Sequence, residues 1–183
     1  LMYDQVKQEQ RTELVKIIQQ EVRRLSRMTQ DYLDLARIES GRLSLEHHEV
    51  DLTVIIQEVM HIQRPQANNR HITLHYESET VVPFITGDAD RLKQVLLNLV
   101  SNAIKYNREW GTITVRLACL NGELCLSVHD TGEGIAPEHL EHLFQRFYRV
   151  PGSETKSEGS GLGLSIAQRI VEAHGGRIVV ESN

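Results

Sequence analysis

Cysteine is scarce in this chain: Cys119 and Cys125 are the only two. They flank Asn121–Gly122 and form no C-x-x-C pair, so the pattern of a thiol-based metal site is missing. Both read as small apolar strand residues, and the low count suits a reducing compartment. No apolar run approaches the roughly 20 residues that span a bilayer, and no signal-peptide pattern is visible. The stretch is therefore expected to be soluble, whatever protein it belongs to. A basic excess is also missing. The formal net charge is −5, and the basic residues are interspersed with acidic ones, which argues against a nucleic-acid partner. Neither an internal repeat nor a low-complexity segment occurs.

What remains is an ordinary globular composition, with 40% hydrophobic and 25% charged residues in a chain of 183. That length allows one domain with a good core and a smaller appendage. Leu14, Ile18, Val22, Leu25, Met28, Tyr32 and Leu35 recur at spacings of three and four, which predicts a long amphipathic helix over Leu14–Ile38. Ser40–Gly41 is its stop. Such a stripe needs a partner helix, from this chain or another.

Beyond Leu45 the pattern changes. Val50–Val59 reads as a short strand or linker entering a helix capped near Asp51 or Thr53. Ile72, Leu74 and Tyr76 alternate as a strand does, and Phe84–Ile85 precede a turn at Gly87–Asp88. Helices follow at Arg91–Tyr106, Pro137–Phe147 and Gly161–His174. Strands are expected around Ile113–Leu117, Leu124–Val128 and Arg177–Glu181. This order predicts an α/β fold, a two-layer sandwich preceded by the long helix. The expected boundaries are 1–46 for the helical region and 47–183 for the α/β domain.

Three clusters carry chemistry. Asn98 and Asn102 lie one turn apart on one helical face, followed by Lys105 and Tyr106. The pair can be a solvated polar face, or two carboxamide oxygens for a hard cation such as magnesium. Asparagine is a poor helix former, and both sit inside an apolar run, which favours the second reading. Asp130-Thr131-Gly132-Glu133-Gly134-Ile135 ends an apolar strand. It can be a plain loop, or a carboxylate placed for an exocyclic amine with glycines that admit a flat ligand. Gly159-Ser160-Gly161-Leu162-Gly163-Leu164 opens a helix, where backbone N–H groups and the helix dipole favour an anion. The polar segment before it, Arg149–Ser160, has the composition of a mobile lid.

These clusters appear in a fixed order, with Phe144-Gln145-Arg146-Phe147-Tyr148-Arg149 between the second and third. In that order the sequence resembles the sensor histidine kinases, over about Val22–Glu181. Asn98–Tyr106 matches the family's asparagine box, Asp130–Ile135 its first glycine box, Phe144–Arg149 its phenylalanine box and Gly159–Leu164 its second glycine box. The resemblance implies a gyrase-type ATP-binding sandwich that uses ATP and Mg2+. By the same resemblance, Asp130 binds the adenine amino group within a pocket including Gly132, Gly134 and Ile135, and Tyr106 packs on the base. Asn98 and Asn102 line the metal and phosphate site, with Asn102 the better metal ligand. Lys105 and Arg149 meet phosphates. Gly159, Gly161, Leu162 and Gly163 form the hinge and phosphate end of the lid, and Phe144 and Phe147 anchor its start by packing. Arg24–Gly41 resembles the second helix of the family's dimerisation hairpin. The implied partners are a second copy of the chain and a response regulator receiver domain. The implied setting is the cytoplasmic part of a membrane-anchored bacterial sensor.

Three departures stand out. None of the nine histidines has the helical setting and following glutamate of the family's phosphoacceptor; His48 precedes Glu49 but lies past the long helix. The acceptor is therefore expected upstream of Leu1, and a last strand beyond Asn183. Trp110 occupies a loop position where the family usually has glycine. Two other functions fit the same clusters: a non-catalytic ATP-binding or dimerisation module, and a gyrase-type ATP hydrolase. The hydrolase needs a glutamate base where Asn98 stands, and an amide cannot take a proton from water.

Overall fold

The computed structural model describes residues 2–40, 44–78, 82–120, 122–152 and 160–182. The chain divides into two compact units, Leu1–Leu43 and Ser44–Asn183. The first is one helix, α1 (Met2–Glu39). Leu14, Ile18, Val22, Leu25, Met28 and Tyr32 form the expected stripe along it, and all six are exposed. No described helix is long and apolar enough to cross a membrane.

The second unit is a two-layer α/β sandwich. Its elements in order are β1 (His48–Val50), α2 (Leu52–Asn68), β2 (Thr73–Ser78), β3 (Ile85–Gly87), α3 (Ala89–Lys105), β4 (Thr112–Leu120), β5 (Glu123–Asp130), α4 (Pro137–Leu140) and α5 (Gly163–Ala173). The main sheet has the order β2-β4-β5, with β2 parallel and β5 antiparallel to β4. β1 and β3 pair as a separate antiparallel ribbon. On β4 the alternating Ile113, Val115 and Leu117 are fully buried, and Leu124, Leu126 and Val128 of β5 join them on the same face. Ile56 and Val59 of α2 and Leu96, Val100 and Ile104 of α3 close the core from the helical side. Burying one such side chain contributes about 1.5–3 kcal/mol.

Cys119 and Cys125 form no disulfide among the described residues. The register Ala118↔Cys125 and Cys119↔Leu124 sends them to opposite faces of the sheet. The stretch Arg177–Glu181, expected as a strand, joins no described ladder. It keeps a strand-like alternation of exposed and half-buried residues. Its neighbourhood with β5 rests instead on side chains: Arg177 donates to Glu123 at 2.9 Å, and Ser182 Oγ accepts the Ile135 N–H at 2.8 Å.

Gly87–Asp88, expected as a turn, instead ends β3 and starts α3. Asp88 is the N-cap of α3, accepting the Arg91 N–H at 3.1 Å. Its other oxygen accepts the Glu46 N–H at 3.1 Å. His174, after α5, accepts the Asp88 N–H on Nε2 at 3.0 Å, so its Nδ1 carries the proton toward the Ile170 carbonyl at 2.7 Å. One residue thus joins the end of α5 to the start of α3. Gly87 is required beside it, because a Cβ there would lie 2.8 Å from the His174 ring.

Burial alone would raise the Asp88 pKa. The N–H bonds from Arg91 and Glu46 and the Arg91 charge outweigh it and hold the carboxyl below its ordinary 3.8. A depressed carboxylate stabilises the fold above its unfolded pKa, and that contribution is lost as pH falls through the lower folded value. Asp88→Ala is therefore expected to cost about 1 kcal/mol at neutral pH. In urea unfolding the gap between wild type and variant should close as pH drops below 3.8. A gap that persists unchanged in acid would contradict the ionised cap.

Candidate functional site

α3 is the spine of the site. Its apolar side enters the core through Val95, Leu96, Val100, Ala103 and Ile104. Asn98, Asn102 and Lys105 are half-buried along its flank, and Tyr106 is the C-cap, 38% exposed. From Asn98 to Tyr106 the helix advances about 12 Å at 1.5 Å per residue.

One end of the spine meets the second cluster. Asn107, only 3% exposed, forms a polar knot there. Its Nδ2 donates to the Thr112 carbonyl at 3.2 Å, and its Oδ1 accepts the Arg108 N–H at 3.0 Å. The Thr131 hydroxyl lies 3.3 Å from the same Oδ1 and accepts the Thr112 N–H at 2.9 Å. Gly111 is needed because a Cβ would sit 2.2 Å from Asn107 Oδ1. The knot brings Gly132 against the end of α3: a Cβ on Gly132 would lie 2.6 Å from the Tyr106 carbonyl oxygen and 2.7 Å from Asp130 Oδ1. Asp130 accepts the Gly132 N–H at 2.8 Å on Oδ1, and the exposed carboxylate keeps lone pairs for another donor. Gly134 takes a φ of 72° in the turn that leads to half-buried Ile135. Lys105 Nζ lies 5.3 Å from the Tyr106 ring centre.

About two turns back from that end, at Asn98 in the middle of α3, the spine meets the third cluster. Asn98 Nδ2 donates to the Gly163 carbonyl at 3.1 Å, tying α3 to the first residue of α5. Leu162 is buried and is the N-cap of α5, which has no side-chain cap and no acidic residue in its first turn. Its leading N–H groups are therefore uncapped donors with the positive end of the helix dipole behind them. Asn102, one turn from Asn98, makes no side-chain hydrogen bond among the described residues. This arrangement has the chemistry to hold a flat ring with an amino group at one end, an anion at the other and a hard cation beside the Asn102 oxygen.

Gly161 brings together the two ends of the segment expected to form a lid. Its φ is 72°, and a Cβ would come within 2.7 Å of the Phe147 backbone, whose N–H donates to the Gly161 carbonyl at 3.0 Å. Backbone, not side-chain packing, joins the two ends. Phe147 itself is left-handed at φ 61° and 62% exposed, against the expectation that it anchors by packing. Phe144 is half-buried. Arg149 is half-buried before Pro151–Gly152. Gly159 and most of the expected lid lie outside the described residues.

The profile described as histidine kinase-, DNA gyrase B-, and HSP90-like ATPase matches residues 87–183. The chain belongs to this ATPase family. Among curated relatives, the probable sensor protein PcoS of Escherichia coli is 41% identical over 88% of this chain and 34% of its own length. The sensor protein SrrB of Staphylococcus aureus is 35% identical over 93% of this chain and 29% of its own. The chain thus spans about a third of the relatives it matches. Among solved structures, the catalytic domain of histidine kinase ThkA superposes with TM-score 0.62 at 31% identity, covering 70% of this chain and 82% of that one. Full-length ShkA in complex with AMPPNP gives 0.70 at 30% identity, covering 83% and 32%.

For a member of this ATPase family, two contributors escaped the sequence reading. Asn107 stands directly after the Asn-Lys-Tyr cluster, and its position before Gly111 was a signal that could have been used. Arg70, which donates to the end of α3, had none, because its partners are 34 to 37 residues away.

The two asparagines Asn102 and Asn107 should behave oppositely. Asn107→Ala strands buried donors and acceptors and is expected to cost about 2 kcal/mol. Asn102→Ala removes a side chain without a partner and should stay within about 0.5 kcal/mol. Equal losses in urea unfolding would show that the knot has been misread.

Proposed function

We propose that this chain is the ATP-binding catalytic part of a sensor histidine kinase and passes the γ-phosphate of ATP to a histidine imidazole. The observation that carries this reading is α3 itself, which meets the Asp130–Ile135 loop at its C-terminal end and, about two turns back at Asn98, the α5 N-terminus. Asp130 accepts a hydrogen bond from the adenine amino group, Gly132 and Gly134 let the backbone approach the base, Ile135 lines it and Tyr106 covers it. Lys105, Arg149 and the N–H groups of Gly163 and Leu164 hold phosphates, while the Leu162 N–H donates to Ser160 Oγ at 3.3 Å; Gly159 and Gly161 belong to the same run. Asn102 offers its free carboxamide oxygen to Mg2+, while Asn98 keeps α5 in place and faces the same site. The ion supplies charge neutralisation for the transferring phosphoryl group. The protein's share is positioning and electrostatics, since no residue here needs to act as nucleophile.

None of the nine histidines lies on α1, so the acceptor imidazole comes from a helix outside this sequence. The exposed stripe of α1 is the surface on which such a helix, and a second copy of the chain, would pack. AMPPNP bound to ShkA supports the nucleotide reading. The complex of ThkA with the response regulator TrrA, from a structure matched at TM-score 0.64, supports a receiver domain as the final acceptor. The setting is the cytoplasmic side of a membrane-anchored sensor. Asn98 in place of a glutamate base disfavours the hydrolase, and the intact phosphate and base positions disfavour a non-catalytic module.

Incubated with γ-labelled ATP and magnesium, the chain alone should stay unlabelled. Adding the intact helical hairpin of the full-length protein should put acid-labile, base-stable label on the hairpin, slowly, because the tether is lost. Label on the chain itself, or none on a folded hairpin, would overturn this reading. Asn102→Ala should weaken Mg-ATP more than metal-free ATP in parallel titrations; equal losses would move the metal elsewhere.

A further inference from the structure

We propose that Arg70 is a positioning residue for the base-binding end of the nucleotide site, an inference that rests on the nucleotide reading above. Its guanidinium reaches from the turn between α2 and β2 to the last turn of α3. Nη1 donates to the carbonyls of Ile104 and of Lys105 (the latter at 2.7 Å), and Nη2 donates to the Asn107 carbonyl at 2.8 Å.

A helix end leaves its last carbonyls without intrahelical donors. Many helices meet this with a left-handed residue, usually glycine, where the N–H groups of that residue and the next fold back. α3 has no such residue: its C-cap is Tyr106 at φ −99° and ψ 4°, and only the Tyr106 N–H returns, to Asn102. Arg70 supplies the missing donors with one rigid planar fork carrying a positive charge, at the negative end of the helix dipole. The three carbonyls it holds bracket Tyr106. The one it leaves, the Tyr106 carbonyl, is the one against which Gly132 packs. Fixing residues 104, 105 and 107 therefore fixes both the ring that covers the base and the carbonyl that sets the distance to the Asp130 loop.

Backbone strain points to the same place independently. Among the described residues only His71, Trp110 and Phe147 are non-glycine with positive φ. His71 (φ 55°) follows Arg70, and Trp110 (φ 62°) ends the loop that leaves α3. Their rings stack at 4.3 Å and 7°, the Trp110 N–H donates to the Arg70 carbonyl at 3.4 Å, and the Thr73 N–H donates to Gly111 at 2.9 Å. Left-handed conformations in such residues persist only where their surroundings enforce them, and they concentrate at functional sites. Here the strained pair clamps together the two segments that Arg70 bridges. A clamp that served stability alone would leave the affinity of the folded protein unchanged.

The test uses Arg70→Ala, Arg70→Lys, Tyr106→Ala and the Arg70→Ala/Tyr106→Ala pair. ATP and ADP are titrated with magnesium by calorimetry, well below each variant's measured melting point. Arg70→Ala should melt lower and bind both nucleotides about ten-fold more weakly, to the same extent, because the loss is at the base. Arg70→Lys should fall between, since an ammonium cannot reproduce the fork. In the Tyr106→Ala background the Arg70→Ala loss should shrink to about three-fold, because the part that acts through the ring is gone and the part that acts through the residue-106 carbonyl remains. Wild-type affinity in folded Arg70→Ala, or an undiminished loss in the Tyr106→Ala background, overturns the proposal. Should Arg70→Ala fail to fold, wild-type affinity in Arg70→Lys overturns it. Asp130→Ala separates the two readings. If wild type binds no nucleotide, the nucleotide reading itself fails. If wild type binds, Asp130→Ala does not, and the Arg70 variants bind normally, only the role of Arg70 fails.

Discussion

The buried carboxamide of Asn107 closes a set of hydrogen bonds between the end of α3, the start of β4 and the loop after β5. Its two donors and its acceptor oxygen cannot be left open inside a protein without a cost of about 1–3 kcal/mol each, so the three segments must meet in one arrangement. Thr112 and Thr131 complete the set, and Gly111 and Gly132 exist where they do because nothing larger fits between its members. The Asp130 loop is thereby held against the end of a helix whose other flank, through Asn98, holds α5. Remove the knot, and the two halves of the site lose their common reference.

The same arrangement separates residues that support from residues that remain available. Asn98 and Asn107 are bonded within the protein, and Asp130 is bonded on one oxygen. Asn102, by contrast, has no side-chain partner among the described residues, and the first turn of α5 has no side-chain cap. A site that binds by electrostatics needs rigid supports and unsatisfied groups next to each other, because donors that are already fixed need no reorganisation when charge arrives. Positive-φ backbone at His71 and Trp110 lies beside the Asn107 support, in the two segments joined by the Trp110 N–H to the Arg70 carbonyl.

Much of the fold was legible from periodicity. The alternation of β4 and β5 and the helical run of α3 are consequences of which residues must face a core, and they appeared where expected; the stripe of α1 has the helical spacing but is exposed. The clusters at Asn98–Tyr106, Asp130–Ile135 and Gly161–Leu164 were legible as well, because helix-poor asparagines inside an apolar run and glycines at element ends are locally unfavourable without a use. What stayed hidden depends on contacts distant in sequence. Arg70 looks like any surface arginine until the end of α3 is placed beside it. Arg177–Glu181 has the alternation of a strand, yet side chains at its ends, not ladder bonds, place it near β5. Phe147 looked like a packing residue, but its left-handed backbone, closed against Gly161, leaves the ring exposed.

The most direct test of the account is an amide-shift map of the isotope-labelled chain titrated with a non-hydrolysable ATP analogue and magnesium. The account predicts one saturable event that moves residues 98–107, 130–135 and 160–165 together and leaves the outer face of the sheet, at His75, Arg116 and Ser127, unmoved. Shifts confined to one cluster, or spread over the outer face instead, would contradict a single site built along α3.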